Sequence, residues 1–134
     1  MRFHQAVTFL TPRDAVALAG PIDEHGYDGI YVSDHLFFPK NLASRYTYST
    51  AEDGAPFWDP GTMWPDPWCF IAAMAAVTRR VRFTTGVYVA PARDLITVVK
   101  LTRLVMAAMA EITQKTSGHS VSASHPGAPS SAFE

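Results

Sequence analysis

Short apolar segments rich in β-branched residues alternate with helix-like segments along most of the chain. The apolar segments span residues 2–9, 29–33 and 81–89, and a stretch long enough for a helix follows each of them. A strand-helix order that repeats in this way builds a parallel sheet with right-handed crossover connections. We therefore predict an α/β fold with parallel strands, in which a ligand binds at the carboxyl ends of the strands.

The starts of the predicted helices follow from cap residues. Thr11 stands before Pro12 and Asp66 before Pro67. In each pair the first side chain can accept hydrogen bonds from the free N–H groups of a helix, and the proline sits where a missing N–H does no harm. A third helix is predicted over residues 95–113. The order is therefore three consecutive βα units.

Composition excludes several classes of function. The 134 residues carry a formal net charge of -1, which leaves no basic excess for nucleic acid. The single cysteine, Cys69, belongs to no Cys/His cluster, so no metal site is predicted. No apolar run is long enough for a signal peptide or a membrane span. We expect a cytoplasmic protein with a folded part at 1–113 and a disordered Ser/Ala/Pro-rich tail at 114–134.

The long connection after the second predicted strand, residues 36–66, is unusually aromatic. Residues 36–70 contain nine of the sixteen aromatic residues, among them all three tryptophans. A connection of this length is more often a binding loop or lid than a linker. Its rings can form the wall of a site for a flat ring system, or they can cover the backbone of the loop itself.

Ser33, Asp34 and His35 end the second predicted strand, on the ligand side of the sheet. Residues adjacent in the chain cannot form the hydrogen-bonded line of a Ser/His/Asp triad. Neighbouring side chains on an extended backbone point to opposite faces, so one of the two, Asp34 or His35, points into the site. His35 is the better candidate because its proton can move near neutral pH. Alternatively, Asp34 caps the following loop and His35 forms hydrogen bonds within it.

Two further features lie at the end of the third predicted strand. Gly86 interrupts that strand, and a glycine there indicates a bulge or a close approach of the backbone to a ligand. The alternative is a packing glycine against the first helix. Arg93 and Asp94 follow, and they can form an exposed ion pair or reach an anionic ligand.

Several segments together resemble a known family. They are GYDGIYVSDH, WPDPW, AAVTRRVRFTTGVYVAP and ARDLITVVK. This combination resembles the amino-terminal part of the luciferase-like monooxygenase superfamily, and within it the deazaflavin-dependent oxidoreductase branch, over residues 1–105. The resemblance implies a partial (β/α)8 barrel of about three βα units.

The resemblance also implies site residues and a cofactor. It places His35 and Asp34 as catalytic residues beside a redox ring. It assigns Thr85, Gly86 and Val87 to cofactor binding, with a non-prolyl cis peptide between Gly86 and Val87. The implied cofactor is the deazaflavin coenzyme F-420 rather than FMN, and the implied chemistry is hydride transfer or monooxygenation on a small organic substrate, with no metal, nucleic acid or membrane involved.

Two departures from the family pattern change the expectation. Asp94 and Leu95 follow Arg93 where the family has His or Asn and then Pro, which weakens a ligand role for that corner. Three βα units are well under half of a barrel, and barrel phosphate sites come from the loops after strands seven and eight. We therefore expect this chain alone to bind the cofactor weakly and to be inactive.

Two alternatives from other classes remain. One is a non-catalytic interaction module that pairs, with itself or with another chain, through an open sheet edge. The other is a small independent α/β binding domain whose aromatic loop covers that edge. The sequence does not indicate the substrate.

Overall fold

The structure, a computed structural model, describes residues 1–39 and 43–117. Three strands and three α-helices alternate along it, with a short 3-10 helix at Ala90–Ala92. The strands are β1 (His4–Ala6), β2 (Gly29–Val32) and β3 (Arg82–Thr85), and the helices are α1 (Pro12–Glu24), α2 (Pro67–Ala75) and α3 (Leu95–Ser117). The helix α3 runs past its predicted end at residue 113. The remainder of the predicted tail, residues 118–134, lies outside the described residues.

The three strands form one parallel sheet in the order β1-β2-β3. His4 pairs with Gly29, and Gly29 pairs with Arg82, so all three strands start at the same level. The predicted α/β fold with three parallel strands and three helices is confirmed, and it is consistent with part of a barrel. Within the described residues, β1 and β3 are both edge strands.

The two faces of the sheet differ in what covers them. One face packs on the helices and holds the core, whose members include Val7, Ile30, Val32, Ile71, Met74, Val81 and Val105. On the other face Ala6, Tyr31 and Thr84 stand side by side, and both Ala6 and Thr84 are exposed. Burial on one face drives the packing of helices onto the sheet. The opposite face is covered by no helix among the described residues.

The predicted helix caps are present. The Thr11 hydroxyl accepts a hydrogen bond from the Asp14 N–H at 3.2 Å. Asp66 Oδ1 accepts from the N–H groups of Trp68 and Cys69 at 3.0 and 3.2 Å. These bonds satisfy donors that have no partner within the helix. The caps also place the start of α1 and of α2 at the carboxyl end of the sheet.

The third strand is shorter than predicted. The prediction of a strand over residues 81–89 is wrong beyond Thr85, where β3 ends. Gly86 still donates its N–H to the Val32 carbonyl at 2.9 Å, and the chain then leaves the sheet toward the 3-10 helix. The composition of this segment is β-prone throughout, but its last residues have no neighbouring strand position to pair with.

A buried aspartate holds the amino end of the sheet together. Asp23, near the end of α1, accepts hydrogen bonds from the N–H groups of Arg79, Arg80 and Val81 at 2.9, 2.9 and 2.8 Å. Burial by itself raises the pKa of this carboxyl, but the three donors outweigh burial, and its pKa lies below the ordinary 3.8. Asp23 therefore fixes the entry to β3 as an ionised group.

Candidate active site

His35 stands just beyond the carboxyl end of β2, in a cluster with two tryptophans of the long loop. Its ring centroid lies 4.8 Å from that of Trp58 and 4.6 Å from that of Trp64. The imidazole is partly exposed. The structure thus brings the predicted site histidine into contact with Trp58 and Trp64, which lie near the far end of the aromatic loop.

The long loop packs its rings on one another and on the end of β1. Trp58 and Trp64 meet edge to face at 5.7 Å, and Phe9, after β1, lies 5.3 Å from Trp64. Phe57 and Tyr48 are 63% and 78% exposed. Some rings therefore cover the interior of the loop while others stay open to solvent. The packing that the sequence left open for these aromatics is present, and their use as the wall of a site for a flat ring system stays a prediction.

Asp34 points away from His35 and is bound from the segment after β3. Its side chain is completely buried. Its two carboxylate oxygens accept from Arg93 Nη1 and Nη2 at 2.6 and 2.7 Å, and Oδ2 also accepts from the Val89 N–H at 2.8 Å. The alternative in which Asp34 caps the loop after β2 is wrong, because its partners lie beyond β3.

The electrostatics of this pair follow from its geometry. Burial raises the pKa of Asp34, but the hydrogen bonds from Arg93 and from the Val89 N–H outweigh burial, and the pKa lies below 3.8. A bidentate bond between guanidinium and carboxylate is among the stronger hydrogen bonds in proteins. Asp34 is therefore an ionised, fully engaged carboxylate.

Arg93 connects three segments at the carboxyl end of the sheet. Besides its bonds to Asp34, its Nε lies 3.8 Å from Asp66 Oδ2, and its guanidinium stands 4.6 Å above the ring of Tyr88. Only 15% of its side chain is exposed. The predicted exposed ion pair of Arg93 and Asp94 is wrong, because Arg93 binds Asp34 and Asp94 instead accepts the Thr97 N–H at 2.7 Å at the start of α3.

Gly86 is required by a neighbouring side chain. The Tyr31 hydroxyl donates a hydrogen bond to the Gly86 carbonyl at 2.5 Å. A Cβ on Gly86 would overlap the Tyr31 ring, so the packing partner is Tyr31 of β2 and not the first helix. The Gly86–Val87 peptide bond is cis, as the resemblance implies. Val87 is 73% exposed, and Thr85 pairs with Val32 at the last position of β3.

Outside this site the structure has further cavities, but the described residues contain no candidate metal site. Two cavities of about 280 and 530 Å³ open at the amino end of the sheet, where Arg80 and Arg82 line both of them. Over residues 1–39 and 43–117 there is no group of three His, Cys, Asp or Glu side chains that could hold a metal ion. In the same part of the chain, no helix has the length and apolar character needed to cross a membrane.

The fold and the site together define a class of protein, namely an α/β protein of βα units with a candidate ligand site at the carboxyl ends of its parallel strands. The solved structure of the monooxygenase RslO1 from Streptomyces bottropensis matches with a TM-score of 0.56 and 23% sequence identity. The match covers 81% of this chain and 30% of that one. At this identity the likeness concerns the fold.

The family model for the luciferase-like monooxygenases matches residues 2–101, and the chain belongs to this family. Uncharacterized proteins of Mycobacterium bovis and of two strains of Mycobacterium tuberculosis are 32% identical to it over 91 residues. These matches cover 68% of this chain and 30% of each relative. The chain therefore spans about a third of the length of the curated relatives it matches.

Luciferase-like monooxygenases use reduced flavin-type cofactors. The residues at the carboxyl end fit the ring of such a group. Val87 presents an uncovered apolar surface at the end of β3, and His35 with Trp58 and Trp64 supplies aromatic faces and a proton-carrying nitrogen at the end of β2. A flat redox ring with polar edges requires this combination of surfaces.

Proposed function

We propose that this chain forms part of the active-site wall of an oxidoreductase in which a reduced flavin or deazaflavin acts on a small organic substrate. The observation that carries the proposal is the position of His35, clustered with Trp58 and Trp64 at the carboxyl end of β2 in a chain of the luciferase-like family. When bound, such a cofactor supplies a hydride or activates oxygen. We favour the deazaflavin coenzyme F-420 over FMN on the sequence resemblance.

The roles of the individual residues follow from their contacts. His35 binds at the edge of the ring or the substrate and holds or delivers a proton at an imidazole nitrogen. Trp58 and Trp64 exclude water from it. Asp34 is a positioning residue rather than a catalytic one, because both of its oxygens are bound by Arg93. Thr85, Gly86 and Val87 provide the backbone and apolar surface against which the ring lies.

The test uses lumiflavin, which is the flavin ring without its phosphate tail, and the 134-residue chain. We expect lumiflavin to shift the NMR signals of His35, Trp58 and Val87. FMN should bind no more tightly than lumiflavin, because a three-stranded sheet lacks the phosphate loops of a full barrel. His35→Ala should weaken lumiflavin about fivefold, the value of one lost hydrogen bond or ring contact.

The matched control is His4→Ala, since His4 is an exposed histidine at the opposite end of the sheet. It should leave the lumiflavin affinity unchanged. Shifts confined to the amino end, around His4 and Arg82, would contradict the proposed site. Micromolar binding of FMN would contradict the expectation that the chain alone holds the cofactor weakly. A 5-deaza analogue of lumiflavin, titrated in parallel, compares the two cofactor classes directly.

A second candidate function is an interaction module without catalysis. The observation that favours it is the edge position of β3, whose outer backbone groups face no strand within the described residues. An open parallel edge can pair with another chain or with a second copy of this one. Sedimentation of the chain as a monomer over a wide concentration range would count against self-association through this edge.

The compartment is part of the same proposal. Cys69 is exposed and unpaired, and it is the only cysteine of the sequence. A free, exposed thiol suits a reducing compartment. We propose the cytoplasm as the place of action, with a small molecule and neither nucleic acid nor a membrane as the partner.

A further inference from the structure

We propose that a groove beside His35 binds the substrate, and that this substrate is a flat aromatic molecule without negative charge. The groove, named here the aromatic groove, lies between residues 9–11 and residues 56–63 and has a volume of about 700 Å³. That volume is in the usual range of small-molecule sites, roughly 300–1,000 Å³. That the ligand is the substrate rests on the proposed function, whereas the preference for a flat aromatic ligand rests on the residues that line the groove.

The lining of the aromatic groove is apolar and open. Its apolar members are Phe9, Leu10, Pro56, Phe57, Trp58 and Met63. Among them Phe9, Phe57 and Met63 are 48%, 63% and 57% exposed. Large apolar side chains that share one concave surface and remain open to solvent mark a ligand or partner site more often than a packing defect. The curved aromatic walls match a flat ring.

The backbone at Phe9 is a second, independent sign of a binding site. Phe9 has a φ of 67°, and it is the one non-glycine residue with positive φ in the described part of the chain. Thr8 and Ser33 share a hydroxyl hydrogen bond of 2.7 Å just before it, and Leu10 donates its N–H to the Val7 carbonyl at 3.2 Å just after it. A bulky residue keeps this unfavourable conformation only where its surroundings enforce it, and such positions cluster at ligand sites. Here the result is a ring presented to the groove.

The aromatic groove and the proposed reacting site share a wall. Trp58 lines the groove, and its ring is also 4.8 Å from that of His35. Trp64 bridges in the same way, 5.3 Å from Phe9 and 4.6 Å from His35. One layer of rings therefore separates a ligand in the groove from the imidazole.

The charge of the groove selects against anions. Asp59 is the charged residue among the described groups that line it. Its Oδ1 accepts the Gly61 N–H at 2.7 Å, so the carboxylate is held at the rim. A negatively charged ligand would meet repulsion there and no cation to offset it. A neutral aromatic molecule does not meet this repulsion.

The experiment compares 2-naphthol, which is uncharged at neutral pH, with the anion 2-naphthoate, by NMR on the 134-residue chain. We expect 2-naphthol to shift the amide signals of Phe9, Thr11 and Met63, and we expect 2-naphthoate to bind about threefold more weakly. Asp59→Asn keeps an acceptor for the Gly61 N–H and should abolish the difference between the two probes. Phe57→Ala should weaken 2-naphthol about fivefold.

Leu95→Ala is the matched control, since Leu95 is an equally exposed apolar residue on α3, away from the groove. It should leave the affinity for 2-naphthol unchanged. The proposal is overturned if 2-naphthol leaves the groove signals in place, if both probes bind equally to the unaltered chain, or if Phe57→Ala behaves like Leu95→Ala. If the unaltered chain binds 2-naphthol but not lumiflavin, the proposed function is contradicted, whereas the assignment of the groove as a ligand site is supported.

Discussion

Both ends of the sheet bury an aspartate, but the two aspartates have different kinds of partner. At the amino end, Asp23 accepts three backbone N–H groups, and the nearby Arg80 side chain is 68% exposed. At the carboxyl end, Asp34 accepts two bonds from the Arg93 side chain and one from the backbone. The first arrangement fixes a turn. The second couples β2 to a side chain that itself reaches Asp66 and Tyr88.

This difference shows that the two ends of the sheet depend on different kinds of group. A carboxylate bound by backbone donors needs no particular side chain beyond itself, so it tolerates variation around it. A carboxylate bound by an arginine depends on that arginine, and the pair orients everything attached to it. The carboxyl end therefore depends on specific side chains.

The largest expected effect is that of Arg93→Ala. Removing the guanidinium leaves Asp34 buried without its charge partner, which should cost about 3–5 kcal/mol of the free energy of unfolding. Urea denaturation followed by circular dichroism measures it. Arg93→Lys keeps the charge but loses the bidentate geometry, and it should cost less than half as much. A loss below about 1 kcal/mol for Arg93→Ala would show that the pair does not hold this end together.

An intermediate effect is expected for Asp23→Asn. The amide keeps one acceptor oxygen but offers an NH2 group where three N–H donors converge, so the free energy of unfolding should fall by about 1–3 kcal/mol. The same urea denaturation measures the change. Glu24→Gln, on the exposed neighbouring residue, is the control and should change stability by less than about 0.5 kcal/mol. Equal behaviour of the two variants would refute a clamp at the amino end.

The smallest effect expected is the pH dependence of stability. The pKa values of Asp23 and Asp34 are both lowered in the folded chain from 3.8. Their contribution is therefore complete above that value and is lost as the pH falls through the lower folded pKa values. Stability measured from pH 6 downward should be nearly flat at first and then fall, by up to about 1.4 kcal/mol per pH unit for each group. Asp23→Asn should reduce the loss of stability at low pH. An unchanged dependence of the free energy of unfolding on pH would contradict the lowered pKa of Asp23.

Much of the fold could be predicted because its signals are local. Thr11 and Asp66 are recognisable as caps from two or three neighbouring residues, and the structure confirms both. The alternation of strand and helix segments predicts the parallel sheet. The end of β3 could not be predicted in this way, since whether a β-prone residue joins a strand depends on whether a partner strand lies beside it.

The candidate site was predictable in part. His35 follows a buried strand, which is enough to place it at the ligand end of the sheet. The partner of Asp34 was not predictable, because Arg93 is 59 residues away in the chain. The acidic residue next to Arg93 in the sequence is Asp94, which suggests a different pair. Asp23 was missed for the same reason, since its donors are 56 to 58 residues later. The positive φ of Phe9 was not predictable either, because a phenylalanine in the sequence does not indicate such a backbone conformation.

The amino-acid order by itself determined which segments become strands and helices, where α1 and α2 begin, and which histidine stands at the ligand end. These properties depend on hydrophobic periodicity and on capping, which act over a few residues. Only the tertiary structure decided that Arg93 binds Asp34, that Tyr31 requires Gly86, and that the rings of Phe9 and Phe57 meet edge to face. Those contacts depend on how crossover connections stack one unit on the next, and buried charges and rings select partners only after that packing has brought them within reach.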